Sequence, residues 1–89
     1  MDFSLTDKTA LVTGSYRGTG FAIAKTLIAE GAKVLVHGIT AEQAAAAVAE
    51  LNGGIPVAGD ISDPAGCQNL LEACAGQSIQ ILINNYGGA

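Results

Sequence analysis

The sequence predicts an α/β fold with a parallel sheet, because short apolar strands alternate with amphipathic helices along the chain. Four short apolar runs have the composition of buried strands, and they occupy residues 9–13, 34–36, 55–58 and 79–83. Each run is separated from the next by a segment whose apolar side chains recur at helical spacing. The order β-α-β-α-β-α-β implies right-handed crossovers, so all strands should run in the same direction.

A glycine-rich stretch separates the first strand from the first helix. The apolar run at residues 9–13 ends at Gly14, and helical spacing is seen over residues 20–30. The predicted inward face of this helix consists of Phe21, Ala24, Leu27 and Ile28. Gly31 ends the helix, since glycine is common just past a helix C-terminus, and residues 34–36 form the second strand.

The second helix begins with a capping box. Thr40 is the predicted N-cap and Gln43 lies three residues later, so each side chain can satisfy a backbone amide of the other residue. The predicted inward face consists of Ala44, Ala45, Val48 and Leu51. The third strand, residues 55–58, contains Pro56, which cannot donate a sheet hydrogen bond, so this strand is predicted at an edge.

The third helix begins after Asp63, a predicted N-cap, with Pro64 at the first helical position. Its predicted inward face consists of Cys67, Leu70, Leu71 and Cys74. Gly76 ends the helix, and residues 79–83 form the last strand. The two cysteines are separated by about 10 Å of helix, too far for a disulfide, so both are expected to be core residues.

Composition and charge exclude several classes of function. The 89 residues suffice for one small domain, and 49% hydrophobic with 13% charged side chains is not the composition of a disordered chain. A net charge of −4 lacks the basic character of a nucleic-acid binder, and no apolar run is long enough to cross a membrane. The first residues do not resemble a secretory signal, so a cytoplasmic location is expected. No metal site is predicted, because no His or Cys motif has ligand spacing.

Three glycines between the first strand and the first helix predict a phosphate-binding turn. Gly14 can take the sharp turn out of the strand, Gly18 lets a pyrophosphate approach the backbone, and Gly20 lets the helix pack closely on the sheet. The amides at the helix N-terminus would then face the phosphates. No Gly-Lys-Ser/Thr follows, which excludes a Walker P-loop, and the second strand lacks the terminal acid that a methyltransferase normally uses.

The spacing TGxxxGxG at residues 13–20 resembles the short-chain dehydrogenase/reductase family, and two further motifs agree in order and position. Asp60 and Ile61, after the third strand, are similar to the family's acidic-aliphatic pair that contacts adenine. Residues 84–87, Asn-Asn-Tyr-Gly, are similar to its Asn-Asn-Ala-Gly element. The resemblance covers essentially the whole chain and implies a Rossmann-type three-layer α/β/α fold with the strand order 3-2-1-4.

The resemblance also implies a set of cofactor-binding residues at the ends of the four strands. They are Gly14, Ser15, Tyr16, Arg17, Gly18, Thr19, Gly20, Gly38, Asp60, Ile61, Asn85, Tyr86 and Gly87. Tyr86 departs from the family, which usually has alanine there. Its phenol would either crowd the cofactor ribose or turn outward toward the substrate.

The end of the second strand predicts NADP rather than NAD as the cofactor. An acid about 20 residues beyond the glycines would bind an NAD ribose and repel a 2′-phosphate, but this chain has Gly38 there. NADP-using members of the family often carry Arg in the glycine-rich turn, where Arg17 matches, and again after the second strand, where this chain has Ile39. Arg17 is therefore the candidate for pairing with the phosphate. His37 is interpreted as structural and Thr40 as a helix cap.

The family's catalytic Ser, Tyr and Lys have no counterpart here, because neither Tyr16 nor Tyr86 is followed four positions later by lysine. We therefore expect residues 1–89 to be the N-terminal, cofactor-binding part of one Rossmann domain in a longer enzyme, with the catalytic half absent. The resemblance implies hydride transfer to or from a small carbonyl or secondary alcohol substrate, and a homo-oligomeric full-length protein. The alternative is a truncated, non-catalytic dinucleotide-binding module.

Overall fold

A computed structural model of the chain describes residues 5–85. Strands and helices alternate in this part of the chain as β1 (Thr9–Val12), α1 (Gly18–Ala29), β2 (Lys33–Gly38), α2 (Ala41–Leu51), β3 (Ile55–Ala58), α3 (Pro64–Ala73) and β4 (Ile81–Ile83). The paired strands are all parallel, and their order is β3-β2-β1-β4. The predicted element order, strand direction and strand order are therefore confirmed.

Helices cover both faces of the sheet, because successive strand residues point to opposite sides. The cluster on the α1 and α2 side contains Val12, Ala24, Ala32, Val34, Val36 and Ala47. The cluster on the α3 side contains Leu11, Leu35, Val57 and Leu70. Together the two clusters and the sheet between them make the three layers of a Rossmann-type α/β/α fold, as predicted.

Two of the predicted inward side chains point outward, so the prediction was wrong at these positions. Ala45 is exposed, and the buried residues of α2 are Ala44 and Ala47. Leu71 is 67% exposed, whereas Leu70 is buried. Each misassigned residue directly follows a buried one. Consecutive residues are about 100° apart around a helix, so a narrow buried stripe excludes the neighbour.

The clearest differences between the predicted and observed element boundaries are in α1, β2 and β4. α1 begins at Gly18, two residues early, because Arg17 is still extended (φ −159°) and the helical turn starts directly after it. β2 is longer than predicted, since it pairs with β1 on one side and with β3 on the other. β4 is shorter, because it pairs with β1 over the register from Ile81 to Ile83.

The local signals at the other helix starts are confirmed. The Thr40 hydroxyl accepts a hydrogen bond from the Gln43 amide at 3.2 Å, and both halves of the capping box are present. The Asp63 carboxylate accepts from the Ala65 amide at 3.2 Å. Pro56 lies in β3, an end strand of the described sheet, as predicted. In the described part of the chain, no helix is long and apolar enough to span a bilayer.

Candidate functional site

The carboxyl ends of the parallel strands meet along one edge of the sheet. The segments that follow them are residues 13–17 after β1, residues 59–63 after β3 and residues 84–85 after β4, and Gly38 ends β2. Ligands of open parallel sheets bind outside this edge. Most of the predicted site residues belong to these segments. Two of them, Tyr86 and Gly87, lie outside the described residues.

The turn after β1 leaves the start of α1 open. Gly14 and Gly18 have φ values of 65° and 62°, a conformation that glycine adopts without strain. A Cβ at Gly18 would have no atom within 4 Å, so the backbone there faces open space. Arg17 is the N-cap residue of α1, but its side chain makes no capping hydrogen bond, and the first turn contains no acid. The first amides of α1 and the positive end of its dipole can therefore receive an anion.

The same turn packs closely against the end of β4. A Cβ at Gly20 would lie 2.5 Å from the Gly14 carbonyl oxygen and 2.6 Å from Asn85 Nδ2, so a larger residue would displace the turn. The Thr13 hydroxyl accepts a hydrogen bond from the Asn85 amide at 2.9 Å and donates to Asn84 Oδ1 at 3.3 Å. Thr13 was not predicted as a site residue. Its position directly before Gly14, where two parallel strands end side by side, is the signal that could have identified it.

His37, near the end of β2, connects the turn after β1 with the end of β3. Its side chain is fully buried, and Nδ1 accepts a hydrogen bond from the Gly14 amide at 2.8 Å. Nε2 lies 2.7 Å from the Gly59 carbonyl oxygen, which can only accept, so Nε2 carries the proton. The His37 amide donates to Ser15 Oγ at 2.8 Å. Ser15 is thus turned into the interior, and its predicted contact with a cofactor stays a prediction.

Tyr16 and Arg17 lie at an open cavity between α1 and α2. The cavity has a volume of about 430 Å³ and is lined by Tyr16, Arg17, Gly18, Phe21, Gln43, Ala46, Ala47 and Glu50. The Arg17 guanidinium carbon lies 5.2 Å from the centre of the Tyr16 ring, within cation–π range. The ring is half-buried against the core, while Arg17 is exposed and forms no ion pair within residues 5–85. The Tyr16 ring therefore contacts the Arg17 guanidinium but does not neutralise its charge.

Thr19, the remaining predicted residue of the turn, lies on a different side of α1. It is exposed and lines a smaller groove of about 280 Å³. The other residues of that groove are Ala22, Ile23, Thr26 and Leu27, and none of them lines the cavity that holds Arg17. The structure therefore does not bring the Thr19 side chain together with Arg17.

The end of β2 has no room for a side chain. A Cβ at Gly38 would lie 2.7 Å from the Ala44 amide nitrogen and 3.0 Å from Gln43 Cβ. Gln43 Oε1 also accepts hydrogen bonds from the amides of Ile39 at 2.9 Å and Thr40 at 3.2 Å. The first turn of α2 is thus closed over Gly38, and an acidic side chain there would require α2 to move.

The Asp60 carboxylate lies in the turn after β3. Its Oδ1 atom accepts hydrogen bonds from the Ser62 hydroxyl at 2.6 Å and from the Ser62 amide at 3.0 Å. These hydrogen bonds lower the pKa of Asp60 from its ordinary value, so the group is ionised near neutral pH. Ile61 packs against the apolar cluster on the α3 side. A Cβ at Gly66 would meet the Asp60 carbonyl, which is why α3 can begin so close to this turn.

Comparison with known proteins identifies relatives over nearly the whole chain. The family model for short chain dehydrogenases matches residues 8–89. The uncharacterized oxidoreductase YvaG of Bacillus subtilis is 39% identical over an alignment of length 93 that covers 98% of this chain and 34% of YvaG. The 3-oxoacyl-(acyl-carrier-protein) reductase FabG of Escherichia coli is 42% identical over 84 residues, which cover 90% of this chain and 34% of FabG.

Solved structures with the same fold include two nucleotide complexes. RhlG of Pseudomonas aeruginosa, in a complex with NADP, has a TM-score of 0.87 and 37% identity, covering 98% of this chain and 37% of RhlG. L-sorbose reductase of Gluconobacter frateurii, in a complex with NADPH and L-sorbose, has a TM-score of 0.87 and 29% identity, covering 99% of this chain and 36% of the reductase. The chain spans about a third of the length of these proteins.

Proposed function

Since this chain belongs to the short-chain dehydrogenase family, we propose that it forms the dinucleotide-binding part of an oxidoreductase that uses NADP. The whole enzyme transfers a hydride between the nicotinamide ring and a small carbonyl or secondary alcohol substrate. The observation that carries this proposal is the open start of α1. That helix has neither a capping side chain nor an acid in its first turn, whereas α2 and α3 are both capped by their own side chains.

The residues of this chain bind and orient the cofactor. The pyrophosphate binds where the Gly18 backbone faces open space, and the first amides of α1 stabilise its charge. Gly14 and Gly20 keep the turn compact enough for this approach, because each lies where a side chain would strain or displace it. When bound, the cofactor supplies the hydride chemistry through its nicotinamide ring.

Charge and space at the end of β2 favour NADP over NAD. Arg17 is a cation at the cavity with no ion-pair partner within residues 5–85, and Gly38 leaves no space for the acid that an NAD ribose would need. Gln43 uses Oε1 for two backbone amides, so its NH₂ group, which has no partner within residues 5–85, can donate to an anion. Glu50, also at this cavity, lies about 10 Å further along α2. A 2′-phosphate would therefore meet two donors next to the turn.

The remaining predicted residues complete the site. The second oxygen of Asp60, which has no partner among the described residues, accepts a hydrogen bond from the adenine amino group, and Ile61 lies beside the ring. Asn85, which follows β4 and contacts the turn through Thr13, is proposed to bind the cofactor, and the family's Asn-Asn-Ala-Gly element implies the same role for Tyr86 and Gly87. The known complexes of RhlG with NADP and of L-sorbose reductase with NADPH support the choice of NADP as the cofactor.

The proton-transferring Ser, Tyr and Lys of the family are proposed to lie outside these 89 residues, because the chain contains no Tyr-x-x-x-Lys segment. The homo-oligomeric state and the cytoplasmic location stay predictions. The second candidate function, a non-catalytic dinucleotide-binding module, uses the same residues for binding. It would be favoured if the protein carrying this chain bound NADPH but contained no such segment.

The proposal is tested by measuring NADPH and NADH binding to the protein by fluorescence titration, before and after Arg17→Ala. The substitution should raise the NADPH dissociation constant by about 10- to 100-fold, because a hydrogen bond to a charged group contributes about 1.5–3 kcal/mol. It should leave NADH binding within about twofold, since NADH has no 2′-phosphate.

Lys25→Ala is the matched control, because it removes an exposed cation from the same helix at a distance from the turn. It should change neither dissociation constant. NADH binding as tight as NADPH binding in the unmodified protein would overturn the choice of cofactor. The absence of binding of either nucleotide would overturn the proposed function.

A further inference from the structure

We propose that His37 is a positioning residue of the dinucleotide site, and that its neutral imidazole is required to hold the phosphate-binding turn and the adenine-binding turn in register. Protonation of this ring breaks the connection and weakens dinucleotide binding. This inference rests on the proposed function, because it assumes that both turns contact one cofactor.

The two turns have no direct backbone connection through the sheet. In the strand order β3-β2-β1-β4, β2 lies between β1 and β3, so the segments that follow β1 and β3 are not hydrogen-bonded neighbours. His37 is in β2 and reaches both. Nδ1 accepts from the Gly14 amide at 2.8 Å, and Nε2 donates to the Gly59 carbonyl at 2.7 Å.

Each of these bonds reaches a segment that the proposed function uses. Gly14 begins the turn that leads to the open start of α1, and Gly59 directly precedes Asp60. A third bond, from the His37 amide to Ser15 Oγ at 2.8 Å, fixes the second residue of the same turn. One fully buried residue thus fixes the position of the phosphate-binding segment relative to the adenine-binding segment.

The hydrogen bonds allow one protonation state. The Gly14 N–H can only donate a hydrogen bond, and the Gly59 carbonyl can only accept one. Nδ1 must therefore be unprotonated and Nε2 must carry the proton. A second proton would place an N–H on Nδ1 facing the Gly14 N–H at the present separation of 2.8 Å. Two donors cannot share that contact, and a buried imidazolium is also poorly solvated, so the turn would move away. Because both ring nitrogens are occupied, the ring is not free to act as a metal ligand or a general base.

The charged groups around His37 do not remove this conflict. β1 and β3 carry no titratable side chain. His37 lies on the same face of the sheet as Leu35, where α3 carries an exposed Glu72 and a half-buried Cys67. On the opposite face, α1 and α2 carry Lys25, Glu42 and Glu50, all exposed. The adjoining turns carry Tyr16, Arg17, Asp60 and Asp63. Asp60 interacts electrostatically with His37, but this carboxylate is held by Ser62 in a partly exposed turn, whereas the Gly14 amide is in direct contact with the ring.

The test compares NADPH binding by the unmodified protein and by His37→Asn from about pH 8 to about pH 5, the range in which histidine can change charge. An asparagine oxygen can accept from the Gly14 amide at every pH in this range. As the pH falls, the NADPH dissociation constant of the unmodified protein should increase by a factor at least about ten times larger than that of the variant. The reason is that an unmatched buried donor weakens binding by about this factor. A phosphate monoester titrates near pH 6, and this dependence is common to both proteins.

A second measurement does not depend on whether the variant folds. The chain contains one histidine, so the imidazole ¹⁵N signals of the labelled protein can be followed directly. We expect an unprotonated Nδ1 and a protonated Nε2 wherever NADPH binds tightly, with Nδ1 gaining its proton at the pH where affinity falls. A doubly protonated ring in the tight complex, or equal pH dependence in the protein and a folded variant, would overturn the inference alone. Failure to bind NADPH even at about pH 8 would instead overturn the proposed function.

Discussion

The starts of α1 and α2 follow neighbouring strands at the same edge of the sheet, yet their hydrogen bonding differs. α2 is closed by its own residues, because Thr40 and Gln43 satisfy each other's amides in a capping box. α1 begins after Arg17 with no capping side chain, and Gly18 in its first turn faces open space. A capped helix start gains stability locally, whereas an uncapped one keeps its amides for a ligand. A helix start whose amides are not capped by a local side chain is therefore a candidate anion site.

The closed start of α2 also shapes the open start of α1. The Gln43 side chain lies over Gly38 and takes up the amides of Ile39 and Thr40, so a ligand cannot use those amides. The same side chain lines the cavity that Arg17 enters. Because the start of α2 is capped, Arg17 and the Gln43 NH₂ group are the side-chain donors proposed to meet a ligand at the uncapped start of α1.

The largest effect on this comparison is expected from Gly20→Ala. The added Cβ would contact the Gly14 carbonyl oxygen at 2.5 Å and Asn85 Nδ2 at 2.6 Å, so the turn and the end of β4 would have to separate. The free energy of unfolding should fall by about 1–3 kcal/mol, the usual cost of overpacking, and NADPH binding should be lost. Chemical denaturation and fluorescence titration measure the two effects.

Gly53→Ala is the matched control, since its Cβ would make an ordinary contact of 3.5 Å with Ile28 Cγ2. It should leave NADPH binding unchanged. If Gly20→Ala were as stable as this control and bound NADPH equally well, close packing at Gly20 would have no role in the site.

A smaller effect on stability, of opposite sign, is expected from Arg17→Asp. The extended backbone of residue 17 (φ −159°, ψ 167°) suits an N-cap, so an aspartate would close α1 as Thr40 closes α2. Unfolding should become harder by about 0.5–1 kcal/mol, while NADPH should bind more weakly than to Arg17→Ala, because the carboxylate occupies the amides and repels phosphate.

Thr40→Ala gives the reciprocal change at α2. Loss of this cap should lower the free energy of unfolding by about 1 kcal/mol and leave NADPH binding nearly unchanged. Denaturation midpoints of Arg17→Asp, Thr40→Ala and the unmodified protein will check the expected stabilisation of the first variant and the destabilisation of the second. A destabilised Arg17→Asp variant that still bound NADPH tightly would contradict the view that the amides of α1 are held open for an anion.

The smallest effect is expected at the turn after β3. Hydrogen bonds from Ser62 lower the pKa of Asp60 below its ordinary value of 3.8, so Ser62→Ala should move this pKa back toward 3.8. Because the lowered pKa belongs to the folded state, the associated stability is present above the ordinary pKa and disappears as the pH falls through the lowered one. An NMR titration of the Asp60 carboxyl carbon measures the shift.

Ser78→Ala is the control, since the Ser78 hydroxyl accepts a weak hydrogen bond of 3.4 Å from Gln80 and does not contact Asp60. It should leave the Asp60 titration unchanged. An identical Asp60 pKa in Ser62→Ala and in the unmodified protein would show that the Ser62 hydroxyl does not lower the pKa of this carboxylate.

Much of the fold and part of the site could be predicted from the sequence. The capping box at Thr40, the cap at Asp63 and the edge strand with Pro56 all follow from interactions within a few residues. The inward faces of the helices were harder to predict. Ala45 and Leu71 are apolar neighbours of buried residues, and only the position of the sheet decides which side of each helix is covered.

The sequence alone determined the alternation of strands and helices, the parallel sheet and the glycines around the turn after β1. These features depend on local backbone preference and on the period of apolar residues, both of which are readable along the chain. The tertiary structure decided that His37 would join Gly14 to Gly59, and that Ser15 would turn inward. Such contacts join residues more than 20 positions apart, so they exist only once the sheet has brought its strand ends together.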